Sequence, residues 1–242
     1  MLGALENLER SEYNNAVDLM GLSGEMNEEL LGYLGKLNPI ARAKAVNKLV
    51  KRPIASQGSR AEFEKFFPEL PSYIKEQLLQ GKLRLADHVV YTIKPIQGAK
   101  TIKMFESQDV KEDGLRNISN AKLPKNMALL VSGIYLLQGV AASLGNDDMK
   151  QTVFDSIENV GPLANGSFKF KSNKKQLVSE MSNRKFITGG FSLVPKGFFK
   201  LSNPRLIQDD VEIEFELDLG TITGLNPNAV IFLGLEGTAT IP

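Results

Sequence analysis

Val211-Glu212-Ile213-Glu214-Phe215-Glu216-Leu217-Asp218-Leu219 alternates apolar and acidic residues without a break. Side chains on an extended strand point to opposite faces in turn, so this stretch sends every apolar group to one side and every carboxylate to the other. That is the pattern of a strand lying over a core with its other face in water. Outward from it, alternation and β-rich runs fill residues 86–242. Val89 to Ile96 runs up to a Gln97-Gly98 turn, and Thr101 to Phe105 follows. Asn126 to Asn146 carries no charge. Ser167 to Lys171 alternates and Gln176 to Met181 continues the pairing. Phe186 to Val194 contains Gly189-Gly190, a place for a turn or bulge. Phe198 to Leu201 and Arg205 to Ile207 are split by Asn203-Pro204, and Ala229 to Ile241 closes the chain. Several short strands with regular turn signals read as a β-sandwich or jelly roll of about eight strands.

Residues 1–85 follow the other period. Leu2, Leu5, Leu8, Tyr13, Val17 and Met20 form a helical stripe that Gly21 stops, and a second helix follows Ser23 with Met26, Leu30, Leu31 and Leu34 inward. Asn38-Pro39 opens a third, Ile40 to Lys51, with Asn as N-cap and Pro in the first turn. Ser59 and Glu62 have capping-box spacing for a short helix through Phe66. Pro71 begins a last one that ends at Gly81, with Ile74, Leu78 and Leu79 on its apolar side. The expected organisation is therefore a helical N-terminal segment, 1–85, and a β domain, 86–242.

Composition narrows the chemistry. The 242 residues carry 29 Lys and Arg against 28 Asp and Glu, so no global field steers the chain to nucleic acid or to a membrane. Cysteine is absent, which removes disulfides, thiol nucleophiles and thiolate metal sites and fits a reducing compartment. The N-terminus lacks the basic and apolar regions of a signal peptide. The uncharged stretch 126–146 has the length of a membrane span. Its scattered Asn126, Ser132, Gln138 and Ser143 and its glycines read instead as one or two buried strands.

Two charged features carry functional readings. Between Glu29 and Glu62 every charged residue is basic, including Arg42, Lys44, Lys48, Lys51 and Arg52. Point charges on a helix suffice to lie along phosphates or to meet an acidic protein partner, and a solvated face is the plainer alternative. In the acidic strand, alternate carboxylates lie about 7 Å apart, too far to converge on one calcium unaided. Lys169 and Lys171 alternate with Phe168 and Phe170, so they can face Glu212, Glu214 and Glu216 across strands or across a subunit contact.

His88 is the only histidine, which rules out histidine-rich zinc and cupin centres. No Gly-x-Ser-x-Gly elbow, phosphate-cradling loop or dinucleotide fingerprint accompanies it. A paired-carboxylate glycosidase stays open, but there is no Trp and only five Tyr to build sugar platforms. No catalytic residue, cofactor or metal is expected.

The segment order of residues 86–242 resembles the jelly-roll capsid proteins of tailless icosahedral bacteriophages. The resemblance is carried by the opening strand His88-Val-Val-Tyr-Thr-Ile-Lys94, the run Leu123-Pro-Lys-Asn-Met-Ala-Leu-Leu-Val-Ser-Gly-Ile134, and the closing acidic and apolar strands. It implies a virion structural protein, assembled in a host cytoplasm, that self-associates through sheet edges and loops while its N-terminal helices clasp a neighbour. Major shell proteins of membrane-containing phages often carry two tandem jelly rolls, whereas this chain has room for one. A single-jelly-roll shell, vertex or decoration subunit is the role implied. The alternative is a non-catalytic binding module for carbohydrate or a host surface, with Phe186, Phe191, Phe198 and Phe199 as the aromatic candidates.

Overall fold

The computed structural model describes residue 63 and residues 65–188 and 194–242. Contacts divide the chain into Met1–Glu69 and Leu70–Pro242. Of the first unit, Phe63 and Lys65 are helical and a 3-10 turn, Phe67–Glu69, follows. The expected helices before them, the Ser59/Glu62 capping box and the basic residues Arg42, Lys44, Lys48, Lys51 and Arg52 lie outside the described residues.

The second unit opens with α1, Ser72–Leu79, so this helix belongs with the sheets. Pro71 occupies its N-cap position. At the other end Gly81 adopts φ +67°, and Lys82 N–H donates to Gln77 O at 2.9 Å while Gly81 N–H donates to Leu78 O at 3.1 Å. This left-handed close satisfies carbonyls that the helix leaves orphaned, and glycine takes it without a Cβ penalty. Ile74 is buried, whereas Leu79 points outward, 47% exposed.

Among the described residues eight strands form two antiparallel four-stranded sheets: β1 (Arg84–Pro95), β2 (Thr101–Lys103), β3 (Leu129–Val140), β4 (Ser167–Ser172), β5 (Lys175–Ser182), β6 (Phe198–Ile207), β7 (Ile213–Asp218) and β8 (Ala229–Ile241). One sheet has the order β1-β8-β3-β6 and the other β2-β7-β4-β5. Short helices α2 (Asn146–Lys150) and α3 (Gly161–Ala164) lie in the β3–β4 connection. Both sheets contribute to one core: Val90, Leu136, Leu233 and Leu235 from the first meet Phe168, Phe170, Phe215 and Leu217 from the second. Phe168 and Phe215 stack with ring centres 5.5 Å apart, and Phe186 closes on Phe168 at 5.0 Å. Aromatic pairs of this kind add to the apolar area that they bury.

The alternation at 213–219 behaves as its sequence dictates. Ile213, Phe215 and Leu217 are fully buried, and Glu214, Glu216 and Asp218 face out. The uncharged run is a strand, β3, flanked by β8 and β6, and no helix among the described residues is long and apolar enough to cross a membrane. Two tight turns, Gln97-Gly98 and Asn173-Lys174, have positive φ at both positions, with Gly98 and Asn173 the residues that tolerate the left-handed conformer.

Three local expectations change. Phe186 to Val194 does not begin as a strand. Asn183–Phe186 is a 3-10 turn whose start is capped by Ser182 Oγ accepting from Arg184 N–H, and residues 189–193 lie outside the described set. The two segments around Asn203-Pro204 are one strand, β6, because it is a sheet edge and a register irregularity opposite Val131–Gly133 absorbs the proline. The strand expected to start at Val89 begins at Arg84, since its first residues pair with the far end of β8.

Candidate functional site

The outer face of the second sheet carries the paired charges. Register sets Lys169 opposite Glu216 and Lys171 opposite Glu214 on β4 and β7. Lys171 Nζ lies 3.8 Å from Glu214 and 3.7 Å from Glu216, while Lys169 Nζ reaches Asp218 at 3.2 Å and Glu180 of β5 at 3.4 Å. Lys169 departs from its directly opposite residue because a register shift between Phe168 and Phe170 brings Glu180 alongside. Thr101 and Lys169 hold the Asp218 carboxyl below its usual range. Glu212 stands apart, exposed, with its backbone bridged to Lys122. The charges thus meet within one chain, as a ladder of pairs. Water screens such surface pairs, so they orient the strands more than they stabilise them. Among the described residues no three His, Asp or Glu side chains group as a metal site requires.

The outer face of the first sheet is aromatic. Tyr91 stacks on Phe232 at 6.0 Å, Phe154 packs on Phe232 at 5.7 Å, and Tyr135 meets Phe198 at 4.8 Å. All five rings are half-buried. Phe198 lies over Gly133, where any Cβ would sit 2.2 Å from its ring, so the glycine makes room for it. Burial and a bond to Glu236 push the Tyr135 hydroxyl pKa up to about 12. Of the aromatic candidates, Phe186 is fully buried, Phe199 packs against the core, and Phe191 lies outside the described residues. Among the described candidates, Phe198 alone belongs to the outer face. Tyr91, Tyr135 and Phe232 were hidden in the sequence because each sits in an apolar run, where periodicity cannot say which face is covered, and Phe154 because it lies in a polar connection with no period.

A third constellation was invisible to motif reasoning. Lys94 Nζ lies 2.5 Å from Glu106 Oε2 and 2.7 Å from Asp109 Oδ1, and Arg116 Nη1 reaches the same Oδ1 at 2.8 Å. Glu106 N–H donates to Asp109 Oδ2 at 3.0 Å. The side chains of Lys94 and Asp109 are only 12% and 8% exposed. Arg116 Nε and the neighbouring Thr92 Oγ1 are buried without a partner. One sequence signal existed: Lys94 shares the inward parity of Val90 and Thr92, and a lysine on a core-facing position needs counter-charges.

The same β2–β3 connection covers the edge of β1. Asn117 accepts from Tyr91 N–H at 2.9 Å through Oδ1 and donates to Val89 O at 2.7 Å through Nδ2, as a neighbouring strand would. Leu115 O accepts from Ile93 N–H at 2.8 Å. Close by in the strand, His88 pairs with Gly237 of β8, and burial lowers its imidazole pKa. Tyr73 on α1 donates to Asp209, which also accepts from Asn126 N–H at 2.6 Å and so ties the helix to the β6–β7 turn.

Connections gather at one end of the domain. Ile96 N–H donates to Ala229 O, Ala141 N–H to Asn228 O, Leu219 N–H to Lys100 O and Gly220 N–H to Pro162 O, and Arg184 bonds Asn165. Val140, Val153 and Ile222, in or beside these connections, are 53%, 87% and 47% exposed. Compared with known proteins, the chain matches no family model and no curated sequence.

Proposed function

We propose that this chain is a non-catalytic, self-assembling structural subunit of a virus particle, built on a single jelly roll. The observation that carries the reading is strand order. A jelly roll is an antiparallel hairpin of four strand pairs rolled into two sheets, which pairs first with last and so on inward. Here β1 pairs β8, β2 pairs β7, β3 pairs β6 and β4 pairs β5. Rolling then sets β8 beside β3 and β7 beside β4, the two remaining contacts. Such folds serve viral shells, sugar-binding domains and cupins. The cupin branch fits poorly with a single histidine, and a core filled by Phe168, Phe170, Phe186 and Phe215 fits a building block better than a ligand-holding barrel. Fold-level analogy supplies the viral step.

In this reading, neighbours meet at the loop end that bears Val140, Val153 and Ile222, with the β1 edge already covered by Asn117 and β6 interrupted by Pro204. The N-terminal helices would clasp an adjoining subunit or lie on nucleic acid through Arg42, Lys44, Lys48, Lys51 and Arg52. Assembly would take place in a host cytoplasm. Negative-stain microscopy of the purified full chain should show rings or closed shells; dispersed single particles at every salt and protein concentration would count against the proposal.

The half-buried row Tyr91, Phe232, Phe154, Tyr135 and Phe198 favours a second reading, a sugar- or host-surface-binding module. Glycan-array binding that is lost in Tyr135→Ala, together with a monomeric chain, would select it.

A further inference from the structure

We propose that Lys94 and Asp109 condense into an intramolecular amide, with Glu106 as the proton shuttle. The three groups converge on the Lys94 amine. The Lys94 amine touches the carboxyl it would attack at 2.7 Å and a second carboxyl at 2.5 Å, and both reacting side chains are almost withdrawn from water. Held groups of this kind react at effective concentrations far above any attainable in solution. Arg116 Nη1 on Oδ1 is placed to hold negative charge as it develops on that oxygen, and the Glu106 N–H on Oδ2 fixes the orientation of the Asp109 carboxyl.

The step balances internally. One proton passes from the Lys94 ammonium through Glu106 to Asp109 Oδ2, leaving a neutral amine and a carboxylic acid. The nitrogen lone pair adds to Asp109 Cγ, and the C–N bond forms while Arg116 holds the Oδ1 oxyanion. Glu106 then takes a second proton from nitrogen and delivers it to the Oδ2 hydroxyl. The C–Oδ2 bond breaks, water leaves, and Glu106 ends as the carboxylate it began as. No oxidant or further reactant is needed. The charges also favour the product. Two cations and two anions share this site, and condensation of one pair replaces two desolvated charges by a neutral amide while Arg116 and Glu106 remain balanced. The bond would tie β1 to the connection that covers its edge, and it does so whether or not the chain assembles.

Intact-mass measurement on the denatured, purified full chain after prolonged incubation tests this. The wild type should be lighter than its sequence by one water, and fragmentation should yield a peptide pair joined through Lys94 and Asp109. Lys94→Arg should have its full sequence mass. Glu106→Gln, checked for a wild-type circular dichroism spectrum, should also keep its full mass. A wild type at full sequence mass, or a water loss that persists in Lys94→Arg, would overturn the proposal. A water loss in Glu106→Gln would overturn the shuttle.

Discussion

Gly237→Ala probes the join between the two central strands of the aromatic sheet. Gly237 pairs with Val131 of β3 on one side and His88 of β1 on the other. At this point the β3–β8 register shifts, with Gly133 opposite Glu236, so Ser132 is an extra residue and the β3 backbone turns in toward Gly237. A Cβ there would stand 1.8 Å from Leu130 O and 2.7 Å from Leu130 C, and both are backbone atoms. An ordinary carbon–oxygen separation is about 3.3 Å, so β3 must recede by about 1.5 Å. Recession stretches the flanking ladder hydrogen bonds, each worth about 1 kcal/mol net. With two such bonds weakened, about 2 kcal/mol is lost, and overpacking adds about 1–3 kcal/mol, for a total of about 3–5 kcal/mol. That is a large share of the about 5–15 kcal/mol that a domain has. Urea unfolding followed by circular dichroism should show a midpoint lowered by about 1–2 M at unchanged slope. Gly98→Ala is the control. Its φ is +71° and nothing lies within 4 Å, so only the left-handed conformation is penalised, by about 1–2 kcal/mol. If Gly237→Ala were as mild as Gly98→Ala, the register deduced at the bulge would be wrong.

Other outcomes follow from the same geometry. Phe215→Ala, which opens a cavity beneath Phe168 and Phe170, should cost about 3–5 kcal/mol in thermal or urea unfolding. Asn117→Ala should cost about 1–3 kcal/mol and speed hydrogen exchange at the Tyr91 amide, which loses its acceptor. Tyr73 and Tyr135 are each pushed from 10.0 up to about 12 in the folded state. The unfolded chain therefore releases these protons first, so their contribution is intact below pH 10 and fades as pH rises toward about 12; Tyr135→Phe should flatten that decline in alkaline unfolding curves. His88 has the opposite sign: its folded pKa lies below 6.5, so its contribution is intact above that pH and is lost on acidification, and His88→Gln should reduce the acid sensitivity of the unfolding midpoint.

Legibility in the sequence tracked how each strand is buried. β7 was readable because one face meets Phe168 and Phe170 while the other meets Lys169 and Lys171, so chemistry alternates with geometry. β3 was readable only as an apolar run. Covered on both faces over most of its length, it has no polar side to mark its period, and its composition fits a membrane span as well as a buried strand. Pro204 read as a break because a proline cannot serve a central ladder; that β6 lies at an edge is a tertiary fact that local sequence does not hold. Phe186 looked like strand residue but closes a Ser182-capped 3-10 turn and fills the core. Alternation allowed Lys169 and Lys171 to oppose the acidic strand either across strands or across a subunit contact, and only the β4–β7 register puts the pairs within one chain. The contact with Glu180 did not follow from alternation, since it depends on a register shift. Lys94, Glu106, Asp109 and Arg116 come from one strand and a long connection, and no spacing announces their convergence.

The central claim, that this single two-sheet domain with its N-terminal segment is a subunit of an assembly, is tested most directly by sedimentation velocity of the full chain at micromolar concentration over a range of salt. The account predicts discrete oligomers or larger particles that a charged or bulky substitution at Val153, such as Val153→Glu, shifts toward smaller species. A single monomeric boundary under every condition would contradict it.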